Sequence, residues 1–105
     1  MAKVKITVIK KLNSRDLYGE NPPDTVGEPP ECGVLDTGQE FIIDTASVEE
    51  CPPGLCSWAF ADIHRDITHI LYGGDFPWMK DKGVAISCCT DGLKPVIFRI
   101  ERIAD

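Results

Sequence analysis

The sequence predicts an α+β fold in which a small, mostly antiparallel β-sheet packs on one amphipathic helix. Three observations support this fold class. Only one stretch of the chain has the apolar spacing of a helix, whereas four short stretches have the alternation or composition of strands. The length of 105 residues suits a single domain, residues 1–105, with one core and not two.

The first predicted strand covers residues 3–8, where apolar and polar residues alternate with a period of two. Its inward positions are Val4, Ile6 and Val8. This strand is basic, and we expect it to pair with the last strand, which would bring Lys3 and Lys5 near Glu101.

The next segment, residues 13–31, has no periodicity and contains two Pro-Pro pairs and two glycines. We expect a Pro/Gly-rich acidic loop in extended form. The loop belongs to a longer acidic stretch, since residues 16–50 carry ten acids and no Lys or Arg. We interpret that charge as a solvated face. A second strand is predicted over residues 40–44.

The predicted helix covers residues 57–72 and ends at Gly73-Gly74. At 100° per residue, one stripe of the helix is apolar. The stripe consists of Ala59, Phe60, Ile63, Ile67, Ile70 and Leu71. The opposite side, expected to face water or a partner, carries Asp62, Arg65, Asp66 and His69. His64 lies at the boundary, where we interpret it as a hydrogen-bonded histidine, not a metal ligand.

The last two predicted strands, residues 84–89 and 95–103, are joined around Thr90-Asp91-Gly92. A two-residue turn would put Cys88 on a mixed face with Ile97 and Arg99. A three-residue loop would give one wholly apolar face, so burial favours that register. It predicts that Cys88 is buried in the core and that Cys89 points away from it, free for chemistry.

Composition limits the classes of function. The net charge is −6 and no basic stripe is present, which argues against nucleic-acid binding. No apolar run approaches the roughly 20 residues of a membrane span, and the N-terminus does not resemble a signal peptide. We therefore expect a cytoplasmic protein with reduced thiols. Five cysteines, an odd number, argue against a complete disulfide framework.

The stretch CPPGLCSW, residues 51–58, places one cysteine at the start of the predicted helix. Cys56 comes just before Ser57, the predicted N-cap, where unpaired N–H groups and the helix dipole stabilise a thiolate. Cys51 lies further upstream in a loop. The C-x4-C spacing differs from the C-x2-C of zinc knuckles and thioredoxin-like sites.

Four motifs together resemble a family of uncharacterised, roughly 100-residue proteins found mainly in anaerobic bacteria and archaea. They are C-x5-GQ-x-F from Cys32, PxGxC ending at Cys56, FPW at residues 76–78, and C-x-DGL[RK]PVIF from Cys89. The resemblance implies that Cys32, Cys56 and Cys89 form the site and that Cys51 and Cys88 are additional. The sequence departs from the family pattern at Gly33, where the family tends to have proline, and in the residues after Cys56. It implies no reaction.

Three functions remain open. In the first, Cys32, Cys56 and Cys89 bind zinc or another thiophilic metal. In the second, the protein is a thiol redox enzyme with Cys56 as nucleophile and Cys89 or Cys32 as the resolving thiol. In the third, the protein is a non-catalytic interaction module with structural cysteines.

The expected partner is a second copy of the chain. Phe76, Trp78 and Met79 cluster in a loop, and one helix leaves part of a sheet face uncovered. A homodimer would cover these apolar groups, and so would a loop folded back over the sheet.

Overall fold

The computed structural model describes all 105 residues and contains four strands and two helices. In chain order they are β1 (Lys3–Lys11), α1 (Ser14–Tyr18), β2 (Glu40–Asp44), α2 (Ser57–Leu71), β3 (Val84–Cys88) and β4 (Val96–Ala104). The predicted α+β class is confirmed, because a four-stranded sheet packs on one main helix.

The sheet has the strand order β2-β1-β4-β3, and every neighbouring pair is antiparallel. The expected pairing of the first and last strands is present. Lys5 lies opposite Glu101, and its Nζ is 3.3 Å from Glu101 Oε1. Lys3 instead lies opposite Ala104. Since β1 is an interior strand, its three inward residues, Val4, Ile6 and Val8, are fully buried.

Helix α2 covers one face of the sheet and contacts β1, β3 and β4. All six residues of the predicted apolar stripe are buried. The helix ends at Leu71, one residue earlier than predicted, and Gly73 follows with a φ of 92°, which a side chain would disfavour. With 15 residues, α2 is the longest helix, and neither helix has the length and apolar character to cross a bilayer.

One residue of α2 contradicts the predicted exposed side. Asp66 was expected to face water or a partner, but it is only 8% exposed. Its Oδ1 lies 3.4 Å from Nε of Arg65, which is largely exposed. Asp66 comes seven residues after Ala59 and is therefore only about 20° from it around the helix, so the buried arc extends one position beyond the apolar stripe.

The segment 13–31 contains a short helix that the sequence analysis missed. Asn13 caps α1, since its Oδ1 accepts the N–H of Asp16, while Asp16 Oδ2 accepts the N–H of Asn13. This reciprocal capping box was visible as Asn-x-x-Asp. From α1, the Ser14 hydroxyl donates to the Leu93 carbonyl at 2.8 Å and the Tyr18 hydroxyl donates to the Gly92 carbonyl at 2.8 Å. Helix α1 thus anchors the β3–β4 loop.

The predicted register of the β3–β4 hairpin is wrong. Ala85 is buried opposite Ile100, whereas Cys88 lies opposite Ile97 and is exposed. Cys88 is therefore on the outer face of the sheet and Cys89 on the side of α2. The connection is a longer loop, residues 90–95, closed by the N–H of Cys89 donating to the Val96 carbonyl. Asp91 Oδ1 accepts the N–H groups of Leu93 and Lys94 within this loop, which is longer than the three residues predicted from the apolar pairs.

Candidate functional site

The three motif cysteines line one cavity of about 390 Å³. It lies between the first turns of α2, the β3–β4 loop and the segment 28–35. Eight of its thirteen lining residues are hydrophobic, counting the thiols. Besides Cys32, Cys56 and Cys89, the lining residues that matter for chemistry are Glu28, Trp58, Asp62, Asp91 and Lys94.

Cys56 lines the cavity from the N-terminal end of α2. It is itself the N-cap, so the predicted N-cap, Ser57, is instead the first helical residue. The Cys56 carbonyl accepts the N–H of Phe60 at 2.9 Å, and its sulfur makes no capping hydrogen bond. A turn closed by the N–H of Leu55 donating to the Pro52 carbonyl directs the chain into the helix. The Cys56 sulfur therefore does not cap the helix.

Cys89 continues strand β3 by one residue and is turned toward the helix side. Its N–H donates to the Val96 carbonyl at 3.1 Å, and its Sγ accepts the N–H of Val96 at 3.3 Å. Val96 is 1% exposed. Because the two bonds join Cys89 to a buried strand residue, its sulfur is held at the rigid end of the hairpin.

Cys32 belongs to the irregular segment that follows the Pro29-Pro30 pair. It is partly buried and packs against the main core. Two contacts fix the chain on its N-terminal side: the Ser14 N–H donates to the Pro30 carbonyl at 3.1 Å, and Lys11 Nζ lies 3.2 Å from Glu31 Oε1. On the other side Leu35, 1% exposed, inserts into the core. Contacts on both sides of Cys32 therefore fix this segment beside the cavity.

The β3–β4 loop forms one wall of the cavity and contains an ion pair between Asp91 and Lys94. Asp91 Oδ1 accepts the N–H groups of Leu93 and Lys94, at 2.9 and 3.2 Å. Lys94 Nζ lies 2.9 Å from both Asp91 Oδ2 and Glu28 Oε2. Its hydrogen bonds to Glu28 and Asp91 raise the pKa of Lys94, and the bond to Lys94 holds the pKa of Asp91 below its usual value. This network gives a structural reason for the DGLK part of the last motif.

A second carboxylate ties the loop to the helix. Asp62 Oδ2 accepts both the N–H and the hydroxyl of Thr90, at 2.8 and 2.9 Å. One helical turn earlier Trp58 lines the cavity mouth and is 82% exposed. Asp62 was expected to face water or a partner, and no role was predicted for Trp58, Glu28 or Lys94. The spacing of Asp91 and Lys94 across Gly92 was a signal for a side-chain-closed turn.

The other two cysteines lie outside the cavity. The Cys51 thiol donates to the Leu55 carbonyl at 3.2 Å, and burial raises its pKa. Desolvation also raises the pKa of Cys88 on the outer face of the sheet. Since the thiolate is the reactive form, both are disfavoured as nucleophiles at neutral pH.

No histidine lines the cavity. His64 Nε2 lies 2.7 Å from the Val48 carbonyl, and the ring packs edge-on against Phe60 with centroids 5.0 Å apart. The interpretation of His64 as a hydrogen-bonded boundary residue is confirmed. Any chemistry in the cavity therefore proceeds without an imidazole base at the thiols.

The side chains as they stand do not fit a preformed metal centre. No group of three or more His, Cys, Asp or Glu side chains is placed to hold a metal ion. The thiols share a cavity without forming a coordination cluster. A volume of about 390 Å³ with mainly apolar walls is in the range of small-molecule sites.

Comparison with protein-family models, curated proteins and solved structures finds no match to this chain. The family resemblance carried by the four motifs therefore stays a prediction.

Proposed function

We propose that the cavity is a thiol redox site that reduces a small disulfide, with Cys56 as the attacking thiol and Cys89 as the resolving thiol. One observation carries the proposal: cysteines from three distant parts of the chain, at positions 32, 56 and 89, line a cavity large enough for a small organic molecule. Scattered packing cysteines would not be expected to meet at one opening.

The proposed reaction is two successive thiol–disulfide exchanges. The Cys56 thiolate attacks one sulfur of the bound disulfide, whose S–S bond breaks, and the second sulfur leaves with the electron pair and takes a proton from water. The Cys89 thiolate then attacks the Cys56 sulfur and releases the other half of the ligand. Two protein thiols are oxidised to one disulfide, and one ligand disulfide is reduced to two thiols.

The assignment of the two roles depends on how each sulfur is held. Cys56 is the N-cap of a 15-residue helix, and its sulfur makes no cap bond and is free to approach a ligand. Cys89 Sγ accepts the N–H of Val96 at the rigid end of the hairpin. A fixed sulfur suits the second step, which needs a defined direction of attack. Exchange needs no general base once a thiolate is present, which agrees with the absence of an imidazole.

The test uses the fully reduced native protein and 2-hydroxyethyl disulfide, followed by intact-mass analysis. Wild-type protein should form an internal disulfide and release two small thiols per chain. Cys89→Ser should stop at a mixed disulfide on Cys56 and release one, and Cys56→Ser should lose the fast reaction. Cys88→Ser is the matched control and should behave as wild type. Fast reaction in Cys56→Ser would contradict the proposal.

Metal binding is the second candidate, favoured by the all-thiol character of the convergent residues. Zinc and other soft ions take cysteine sulfurs as ligands, and Cys32, Cys56 and Cys89 would be the ligands of such an ion. Elemental analysis of protein purified without oxygen tests this. A stoichiometric metal that is lost in each of the three Cys→Ser variants would support it, and metal-free protein would contradict it.

We make two further proposals, one on the cellular location of the protein and one on its oligomeric state. We propose a cytoplasmic location, because five free thiols suit a reducing compartment. We also propose a homodimer, because Ile42, Ile86 and Ile103 are exposed on the outer face of the sheet and Trp78 is 74% exposed. Sedimentation at micromolar concentration should show a dimer, and a monomer would contradict this.

A further inference from the structure

The charges around the cavity are unequal, and this bears on what it binds. Three carboxylates line it, those of Glu28, Asp62 and Asp91, against the single ammonium of Lys94. Both Glu28 and Asp91 lie 2.9 Å from that ammonium, and the Lys94 side chain is only 17% exposed. The one cation of the cavity is therefore already neutralised, and the surplus charge is negative.

Two carboxylates keep an oxygen available for a ligand. Asp62 uses Oδ2 for both of its bonds to Thr90, and Glu28 uses Oε2 for Lys94. Asp62 Oδ1 and Glu28 Oε1 make no hydrogen bond within the protein. Both residues are exposed to solvent at the opening, so these oxygens are accessible to a ligand and their field is weakened by added salt.

An aromatic ring lies at the same opening. Trp58, two residues after Cys56 and four before Asp62, lines the cavity with most of its indole exposed. An indole face attracts cations through its quadrupole, and tryptophan does so best among the aromatic residues. An anionic ligand would meet the carboxylates without a free cation to receive it, whereas a cationic ligand would meet both Asp62 and Trp58.

We infer that the cavity selects thiol-reactive ligands that carry a positive charge, such as disulfides with ammonium groups, and discriminates against anionic ones. This inference rests on the proposed function of the thiol site. Asp62 and Trp58 are the specificity-determining residues, Glu28 adds to the field, and Cys56 supplies the reacting sulfur.

The experiment compares three disulfides of similar size: cystamine, which is dicationic, 2-hydroxyethyl disulfide, which is neutral, and 3,3′-dithiodipropionate, which is dianionic. Each rate constant for the native protein is divided by that for the chain unfolded in urea, which corrects for the intrinsic reactivity of the probe. The corrected rate for cystamine should exceed that for the dianion by on the order of tenfold or more, and added salt should reduce the ratio.

Charge variants then locate the effect. Asp62→Asn keeps an oxygen acceptor for Thr90 and should lower the cystamine-to-dianion ratio several-fold, and Glu28→Gln should lower it less. Asp81→Asn removes the same charge from an exposed position outside the cavity and should leave the ratio unchanged. Equal effects of Asp62→Asn and Asp81→Asn would overturn the inference, because net charge alone would then explain the preference.

The outcomes separate this inference from the proposed function. If the neutral disulfide reacts faster with the native protein than with the unfolded chain, and the dianion does as well as cystamine, only the charge selectivity is wrong. If no probe reacts faster with the native protein, the thiol site itself fails and the selectivity with it.

Discussion

The two ends of helix α2 are both fastened to the β-sheet by charged side chains, but only one end leaves open space. At the N-terminal end, Asp62 holds Thr90 and the contacts run around a cavity that three thiols line. At the C-terminal end, Arg102 from β4 fills the corresponding space itself. Its Nη1 donates to the Ile70 and Gly74 carbonyls, at 2.8 and 3.1 Å.

The C-terminal end is closed further by a set of local contacts. Asp75 Oδ1 accepts the N–H of Gly83 and lies 3.4 Å from Arg102 Nη2, and these bonds hold the pKa of Asp75 below its usual value. The rings of His69, Phe76 and Trp78 stack in sequence. The difference between the ends is one of filled space: polar side chains fill the space beside the helix at the C-terminal end, whereas at the N-terminal end they surround a cavity of about 390 Å³.

The largest effect should come from Arg102→Leu at the closed end. The variant leaves the carbonyls of Ile70 and Gly74 without their charged donor, which should lower the free energy of unfolding by about 2–3 kcal/mol. Urea unfolding measures this, with Arg15→Ala in exposed α1 as the control. Thiol reactivity of the folded variant should equal that of wild type, and a loss of reactivity would show that the two ends are not separate.

The next largest effect should come from Gly74→Ala, which sharpens the picture of close packing at that end. An added Cβ would overlap the ring of His69, whose Nε2 is 3.0 Å from the Asp75 carbonyl. Displacing the ring should cost about 1–2 kcal/mol. In a His69→Ala background the same change should cost about 1 kcal/mol less, since the obstacle is gone. Additive effects in this double-mutant cycle would refute the contact.

A smaller effect is expected from Asp91→Asn at the open end. Asparagine keeps the acceptor for the Leu93 N–H and loses the ion pair with Lys94, so the loss should be about 0.5–1 kcal/mol, with part of the charge solvent-screened. The pKa of Asp91 is lowered in the folded protein, so its contribution is complete above the ordinary carboxyl value of 3.8 and disappears as pH falls through the folded pKa. The stability difference between wild type and variant should therefore be constant near pH 6 and vanish in acid. A stability difference that did not decrease as the pH was lowered below 3.8 would contradict the ion pair.

The smallest effect should come from Cys88→Ser, which lies at neither end. Cys88 is exposed on the outer face of the sheet, so the variant should change stability by less than about 0.5 kcal/mol. The hairpin register expected from the sequence would have made this cost larger, on the order of 1–3 kcal/mol. Thermal unfolding of the two proteins distinguishes the registers.

The sequence predicted the elements that depend on local periodicity. The stripe of α2 and the alternation of β1 are repeated along a single element, so they could be identified without knowledge of neighbours. The pairing of β1 with β4 could also be inferred from the charges of Lys5 and Glu101. The predicted exposed side wrongly included Asp66, because a residue seven positions after Ala59 lies within about 20° of it, at the edge of the stripe.

The hairpin register and the cavity depended on contacts between distant segments. Counting apolar pairs favoured a three-residue loop, but Asp91, Lys94 and Glu28 close a longer one, and Glu28 is remote in sequence. The motif cysteines at 32, 56 and 89 were predicted to share a site, and they line one cavity. Their environment could not be predicted, because Trp58 and Asp62 gain significance only once the loop is placed beside the helix.

The most direct test of the central claim is the rate at which each cysteine of the native protein is alkylated by iodoacetamide at neutral pH. Peptide mass spectrometry at short times resolves all five positions. We expect Cys56 to be labelled first, and we expect prior reaction with cystamine to protect Cys56 and Cys89 together, because the two become an internal disulfide. Fastest labelling at Cys88, the exposed thiol with a raised pKa, would contradict it.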